Sequence, residues 1–200
     1  CFENNKRLFA YEYNGYWKDV GTLNSYWEAN MELIDIIPVF NLYEEFWKIY
    51  TKTDMIPPQY ISKESKVLGS IIGEACEIYG DVENSVIGAG VEIGEGAIVR
   101  NSIIMNGTKI GAHAVIDKAI IAEESVIGDK VQLGVFDEVP NKVAPQIYAG
   151  GLVTIGEESY IPPNVSIGKN VAIFGETSIE DYKDGRLESG ETLIKVGDIA

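Results

Sequence analysis

Between residues 67 and 173 an aliphatic residue returns at six-residue steps, usually with a glycine directly behind it. The series reads Ile72-Gly73 and Ile78; Ile87-Gly88, Ile93-Gly94 and Val99; Ile104, Ile110-Gly111 and Ile116; Ile121, Ile127-Gly128 and Leu133-Gly134; then, past a gap, Ile155-Gly156, Ile161, Ile167-Gly168 and Ile173. Two positions ahead of most of these stands a small or β-branched residue, among them Cys76, Val91, Ala97, Thr108, Ala114, Ser125, Val131 and Val165. Side chains alternate along a strand, so positions two apart face the same way. Both sets therefore share one interior, and the hexapeptide period is that of a parallel β-helix.

The period itself has a register. The step shortens to five at Val67 to Ile72, Val82 to Ile87, Val99 to Ile104 and Ile116 to Ile121, and the last three short steps begin seventeen residues apart. Two sixes and a five predict a three-walled circuit with one tightened corner; the first interval, only fifteen, predicts an irregular first coil. Coils stack about 4.8 Å apart through parallel ladders, and a slip of one residue turns the whole aliphatic set outward. One interruption, residues 134–151 with Pro140, Asn141 and Pro145, is long for a connection and of the kind that is often functional. Beyond Ile173, residues 191–199 are expected to add a last strand or to cap the open end.

The N-terminal third reads differently. Leu8, Ala10 and Glu12 alternate with Phe9, Tyr11 and Tyr13, which predicts a strand, and Asn14-Gly15 is a strong hairpin turn signal. The return strand, residues 16–20, puts Trp17 and Asp19 on one face and Tyr16 and Lys18 on the other. Ser25-Tyr26-Trp27-Glu28 has the form of a capping box, followed by a helix of about twelve residues with Tyr26, Ala29, Leu33 and Ile37 on one stripe and Pro38 as its stop. That stripe is expected to lean on whatever precedes the β-helix. A second amphipathic segment, residues 42–50, aligns Leu42, Phe46 and Ile49; Pro57-Pro58 then makes residues 51–65 an extended linker.

Composition narrows the classes. A formal charge of −15 over 200 residues argues against nucleic acid or an anionic membrane as partner, since both call for a basic surface. No run of eighteen apolar residues predicts a span. Two cysteines, Cys1 and the inward Cys76, make no disulfide framework, so a reducing, cytoplasmic setting is expected. Cys1 is not an initiator and no signal-peptide pattern follows it, which suggests a piece of a longer protein.

Candidate chemistry is sparse. Asp19, two residues from Trp17 and beside a Gly-Thr turn, could hold a divalent metal, although an aspartate so placed is more commonly a cap or a solvated acid. His113, the only histidine, lies inside a repeat and points outward by alternation. Acyltransferases of hexapeptide architecture use such a histidine as general base, but a base needs an orienting neighbour and a pocket, and neither is legible here. Gly88-Ala89-Gly90 and residues 94–96 lack the strand, loop and helix context of a phosphate loop.

Gly15-Tyr16-Trp17-Lys18-Asp19-Val20-Gly21-Thr22, continued by Ser25-Tyr26-Trp27-Glu28-Ala29-Asn30-Met31-Glu32-Leu33, closely resembles the end of the nucleotidyltransferase domain in the bacterial glucose-1-phosphate adenylyltransferase family, the ADP-glucose pyrophosphorylases. Pro57-Pro58-Gln59-Tyr60-Ile61 resembles that family's linker. The resemblance covers essentially the whole chain. It implies a mainly β architecture: the hairpin and helix that end an α/β nucleotidyltransferase domain (1–37), a linker (38–65) and a left-handed parallel β-helix (66–200). It further implies adenylyl transfer from ATP to glucose 1-phosphate in glycogen synthesis, releasing pyrophosphate, with Mg2+ near the equivalent of Asp19 and the glucose ring near the equivalent of Trp17. The glycine-rich nucleotide loop, a second metal aspartate and a substrate lysine would lie upstream, so no complete catalytic set falls within these residues and the chain alone is expected to be inactive. The β-helix is expected to serve assembly and regulation, in a homotetramer or with a paralogous subunit, with residues 134–151 and the outward Arg100, Lys109 and Lys118 as candidate contacts. A transferase for another sugar 1-phosphate and an acyltransferase using His113 stand as alternatives.

Overall fold

The computed structural model describes residues 7, 9–35, 37–42, 44–48, 50 and 55–195. Its main body is a parallel β-helix whose three walls are three parallel sheets. The first wall has six strands, from Tyr60–Ile61 to Tyr160–Ile161; the second has seven, from Val67–Leu68 to Arg186–Leu187; the third has seven, from Ile71–Ile72 to Thr192–Ile194. Each strand pairs with its equivalent one coil away, so Ile93 lies against Ile110 and Ile110 against Ile127, Val99 against Ile116, and Ile104 against Ile121. The seventeen-residue circuit is thus the ladder register, and in the first coil Val67 pairs with Val82 at the shorter interval.

The interior is the one the repeat predicts. Ile78, Ile93, Val99, Ile116, Ile121, Ile161, Ile167 and Ile173 are at most 1% exposed, and the small residues ahead of them, Cys76, Val91, Ala97, Thr108, Ala114 and Ser125, are equally buried. Burying each large aliphatic is worth roughly 1.5–3 kcal/mol, which fixes the register without help from the surface. The glycines behind the aliphatics have a different role from the turn residues. A Cβ on Gly94 would lie 2.7 Å from the backbone nitrogen of Ala112, and one on Gly111 would lie 2.6 Å from that of Asp129. They are glycine because the next coil passes directly over them, while the left-handed corner conformation falls on residues such as Ala75, His113 and Lys130.

The tightened corner, between the second and third walls, is closed by a serine ladder. Ser70, Ser85 and Ser102 each accept, at Oγ, the backbone N–H of the residue one coil further on, at 3.0–3.1 Å. Ser85 and Ser102 donate in turn to carbonyls two residues back. Beside them Asn84 and Asn101, both in the left-handed conformation, stack through Nδ2 to Oδ1 at 2.7 Å, and Asn101 continues to Asp117 at 2.9 Å.

Residues 134–151 leave the coil at this same corner, and they are tied down rather than loose. Asn141, 2% exposed, donates to the carbonyl of Asn170 and to Thr192 Oγ1, and accepts the N–H groups of Val143 and Ala144. Asn170 reaches back, accepting from Gly151 N at 2.7 Å and donating to the Val139 carbonyl. Within the last coil, Tyr182 (3% exposed) joins the core and shares a hydrogen bond with Thr177; the strand Thr192–Ile194 extends the third wall as expected.

Four expectations are corrected. Residues 9–20 form no strand ladder: two strands without a third are marginal in water, and Phe9, Tyr11 and Tyr13 lie exposed; Leu8 falls outside the described residues. The helix, α1, spans Leu23–Glu32 and is capped by Thr22, with Ser25 as the reciprocal partner rather than the cap, because Thr22 Oγ1 accepts from Ser25 N while Ser25 Oγ accepts from Thr22 N. Its apolar side leans on the β-helix itself: Leu23, Tyr26, Trp27 and Met31 pack on Ile103 and Ile120 of the third wall and on Leu152, just ahead of that wall's next strand. The described residues of 42–50 are not helical and leave Phe46 and Trp47 exposed; Ile49 lies outside the description. The first wall already begins at Tyr60–Ile61, within the segment read as linker.

Burial pushes the Tyr182 phenol up from 10.0 to about 12. An unfolded chain loses that proton first, so the native state should lose about 2–3 kcal/mol as pH rises from 10 towards 12; urea titrations of wild type and Tyr182→Phe should differ in slope over that range and run parallel below it. Asn141→Ala leaves several buried donors and acceptors without partners, and should cost about 2–3 kcal/mol in the urea midpoint.

Candidate functional site

The sequence singles out Trp17 and Asp19, and α1 decides how they are presented. Alternation survives in residues 16–19 although no ladder forms: Tyr16 and Lys18 are half-buried, Trp17 and Asp19 exposed. Lys18 Nζ lies 2.7 Å from Glu32 Oε1 and 3.3 Å from Glu28 Oε2, two acids one helical turn apart on the same side of α1. Tyr16 donates its hydroxyl to the other Glu32 oxygen at 3.0 Å, and its ring stacks on Phe40 at 5.5 Å. The hydrogen bond from Lys18, then that from Tyr16, holds the Glu32 carboxyl below its usual range, while Glu32 raises the Lys18 ammonium. This tie is therefore present above the carboxylate range and lost as acidification protonates Glu32.

Asp19 Oδ1 accepts the Gly21 N–H at 2.9 Å, an Asx-type turn that sets the approach to the helix cap. A carboxylate keeps further lone pairs beyond that bond, so Asp19 can supply one oxygen to a hard cation such as Mg2+. Among the described residues no group of three or more His, Cys, Asp or Glu is arranged to hold a metal, so Asp19 could supply no more than one ligand from this part of the chain. His113 is exposed at a left-handed corner, stacked one coil from Gly96.

α1 is itself anchored to the coil. Trp27 Nε1 donates to the Asn101 carbonyl at 2.7 Å, and Lys118 Nζ lies 5.3 Å from the centre of the Trp27 ring, a cation–π contact. Lys118, considered for outside contacts, thus faces the chain's own helix, and Lys109 pairs with Glu92 at 2.7 Å one coil below. Beside α1 a cleft of about 450 Å3 opens between Leu23, Ile120, Tyr148 and Phe174, with Thr154 in its lining; the buried Thr154 Oγ1 has no hydrogen-bond partner among the described residues. No helix among the described residues is long and apolar enough to cross a membrane.

Residues 57–155 match the GlmU-like C-terminal hexapeptide family, which agrees with the coil seen here. A glucose-1-phosphate adenylyltransferase of Lachnospira eligens is 66% identical over 198 residues, covering 99% of this chain and 47% of that protein. The chain is a relative of the glucose-1-phosphate adenylyltransferases. Enzymes of that name from Acetivibrio thermocellus, 40% identical over 96% of this chain, and Thermotoga maritima, 50% identical over 96%, extend the relationship, each with 45% of its own length matched. The chain therefore spans a little under half the length of the curated relatives it matches. The likeness runs through α1 and the coil alike.

Sequence reasoning missed the anchoring residues. Lys18, Trp27 and Glu32 lie within the stretch that carries the resemblance but were given no role there, Asn101 lies outside it, and only Glu28 and Glu32, four apart with a lysine upstream, offered a readable signal. Trp27→Phe keeps the ring but removes the N–H. It should weaken α1 docking by about 1 kcal/mol, seen as faster amide hydrogen exchange in residues 23–32 with the coil amides unchanged.

Proposed function

We propose that the chain is the C-terminal portion of a glucose-1-phosphate adenylyltransferase, acting in glycogen synthesis. In the parent reaction a phosphate oxygen of glucose 1-phosphate attacks the α-phosphorus of ATP, the bond to the β-phosphate oxygen breaks, and pyrophosphate leaves with that electron pair; ADP-glucose is the product. The observation that carries this reading is the presentation of Trp17 and Asp19: both are exposed, on the alternation face opposite the one tied to α1, in a chain 66% identical to an enzyme of that name. Trp17 offers an apolar plate for a sugar ring, and Asp19 one oxygen ligand for Mg2+. When bound, that ion would neutralise charge developing at the α-phosphate.

In this reading the β-helix is the assembly and regulatory part of a cytoplasmic enzyme, a homotetramer or a hetero-oligomer with a paralogous subunit. Nucleotide binding belongs to residues upstream. The longer parent should release pyrophosphate from ATP only with glucose 1-phosphate present, and Asp19→Asn should lower its kcat about a hundredfold. The 200-residue chain alone should show no turnover. Pyrophosphate release by the pure chain, or full activity of the Asn variant, would overturn the reading.

A further inference from the structure

Among the described residues the segment that carries Trp17 and Asp19 has no ladder partner, and side-chain ties hold the alternate residues to α1. Besides the stacking of Tyr16 on Phe40 and the Asp19–Gly21 turn, those ties converge on one acid. Glu32 takes the Lys18 ammonium on Oε1 and the Tyr16 hydroxyl on Oε2, while Lys18 also reaches Glu28. The Lys18 side chain is only 24% exposed, which limits screening by solvent. The far end is equally defined, since α1 is held to the coil by Trp27. A continuous set of contacts thus runs from the third wall through α1 and Glu32 to Lys18 and the two exposed residues flanking it.

A lysine between an aromatic and an aspartate would ordinarily be taken for a phosphate ligand. Here its ammonium is engaged by two carboxylates on the helix side. We propose that Lys18 and Glu32 are positioning residues of the adenylyl-transfer site, acting as an ion pair that sets the face on which Trp17 and Asp19 meet sugar and metal. This rests on the function proposed above. The pair works through its geometry, so either residue can carry either charge; a phosphate ligand at position 18 would have to be cationic.

The test uses the active parent enzyme with Glu28→Gln as a common background, so that Glu28 does not repel an acid placed at position 18. Lys18→Glu and Glu32→Lys, each alone, should raise the KM for glucose 1-phosphate and the Mg2+ concentration for half-maximal rate about tenfold. The exchanged pair should recover to within about threefold of the background. Lys18→Met in the 200-residue chain should speed amide exchange at residues 16–21 while leaving the coil protected. An exchanged pair as impaired as Lys18→Glu would make Lys18 a direct phosphate ligand and overturn the proposal, as would unchanged KM and Mg2+ dependence in both single variants or unchanged exchange in Lys18→Met. An inactive wild-type parent overturns the proposed function and this inference together, whereas an active wild type with unshifted variants overturns this inference alone.

Discussion

Every strand of the coil hydrogen-bonds to the strand one circuit above or below it, so each circuit, whatever its length, has to return the chain in phase for the inward side chains to stay inward. Parallel strands of two or three residues have no strength singly. Their stability is that of the stack, in which Ile93, Ile110 and Ile127 lie in one column and each backbone N–H meets the carbonyl of the neighbouring coil. Unpaired buried amides are costly, and a slipped residue would expose a column of isoleucines at the same time. Pitch and burial therefore enforce one another, and excursions from the coil have to start and finish at a corner.

The corner chosen for the long excursion is the tightened one. Up to Ile116 the passage from second to third wall takes five residues and is closed by serine hydroxyls; after the 134–151 excursion the same passage, Ile167 to Ile173, takes six. Asn170, buried and in the left-handed conformation, stands where Asn84, Asn101 and Lys118 stood in earlier coils, while Val171 takes the place of the serines; its amide is turned towards the excursion, accepting from Gly151 and donating to Val139.

The coil was legible because its constraint is periodic. Inward residues and the short first interval both follow from spacing. The helix contact was legible too, in a signal that was passed over. On the first wall the residue before each inward isoleucine is often charged, as in Glu77-Ile78, Glu92-Ile93 and Lys109-Ile110, whereas in the first four strands of the third wall it is apolar: Ile71-Ile72, Val86-Ile87, Ile103-Ile104, Ile120-Ile121. Consecutive apolar residues in a strand mark a sheet covered on both faces, and Ile103 and Ile120 are indeed covered by α1. The hairpin, by contrast, was misread because Asn14-Gly15 and alternation report local preference only; a ladder needs neighbours. Trp17 and Asp19 were identified by motif, but the residues that aim them were not, because an ion pair between positions 18 and 32 leaves no periodic trace.

Coverage of one wall has a consequence for how the two parts of the chain communicate. A helix packed by apolar contact alone can slide, since dispersion and burial are not directional. Trp27 adds a single directional bond to Asn101, and Asn101 belongs to the stacked column Asn84, Asn101 and Asp117 along the tightened corner. The Asn101 carbonyl is thus the point at which the stacked corner meets α1, the helix whose last residue is Glu32. The coil's most regular feature and the chain's least regular segment are in this way joined by one directional bond from an indole nitrogen.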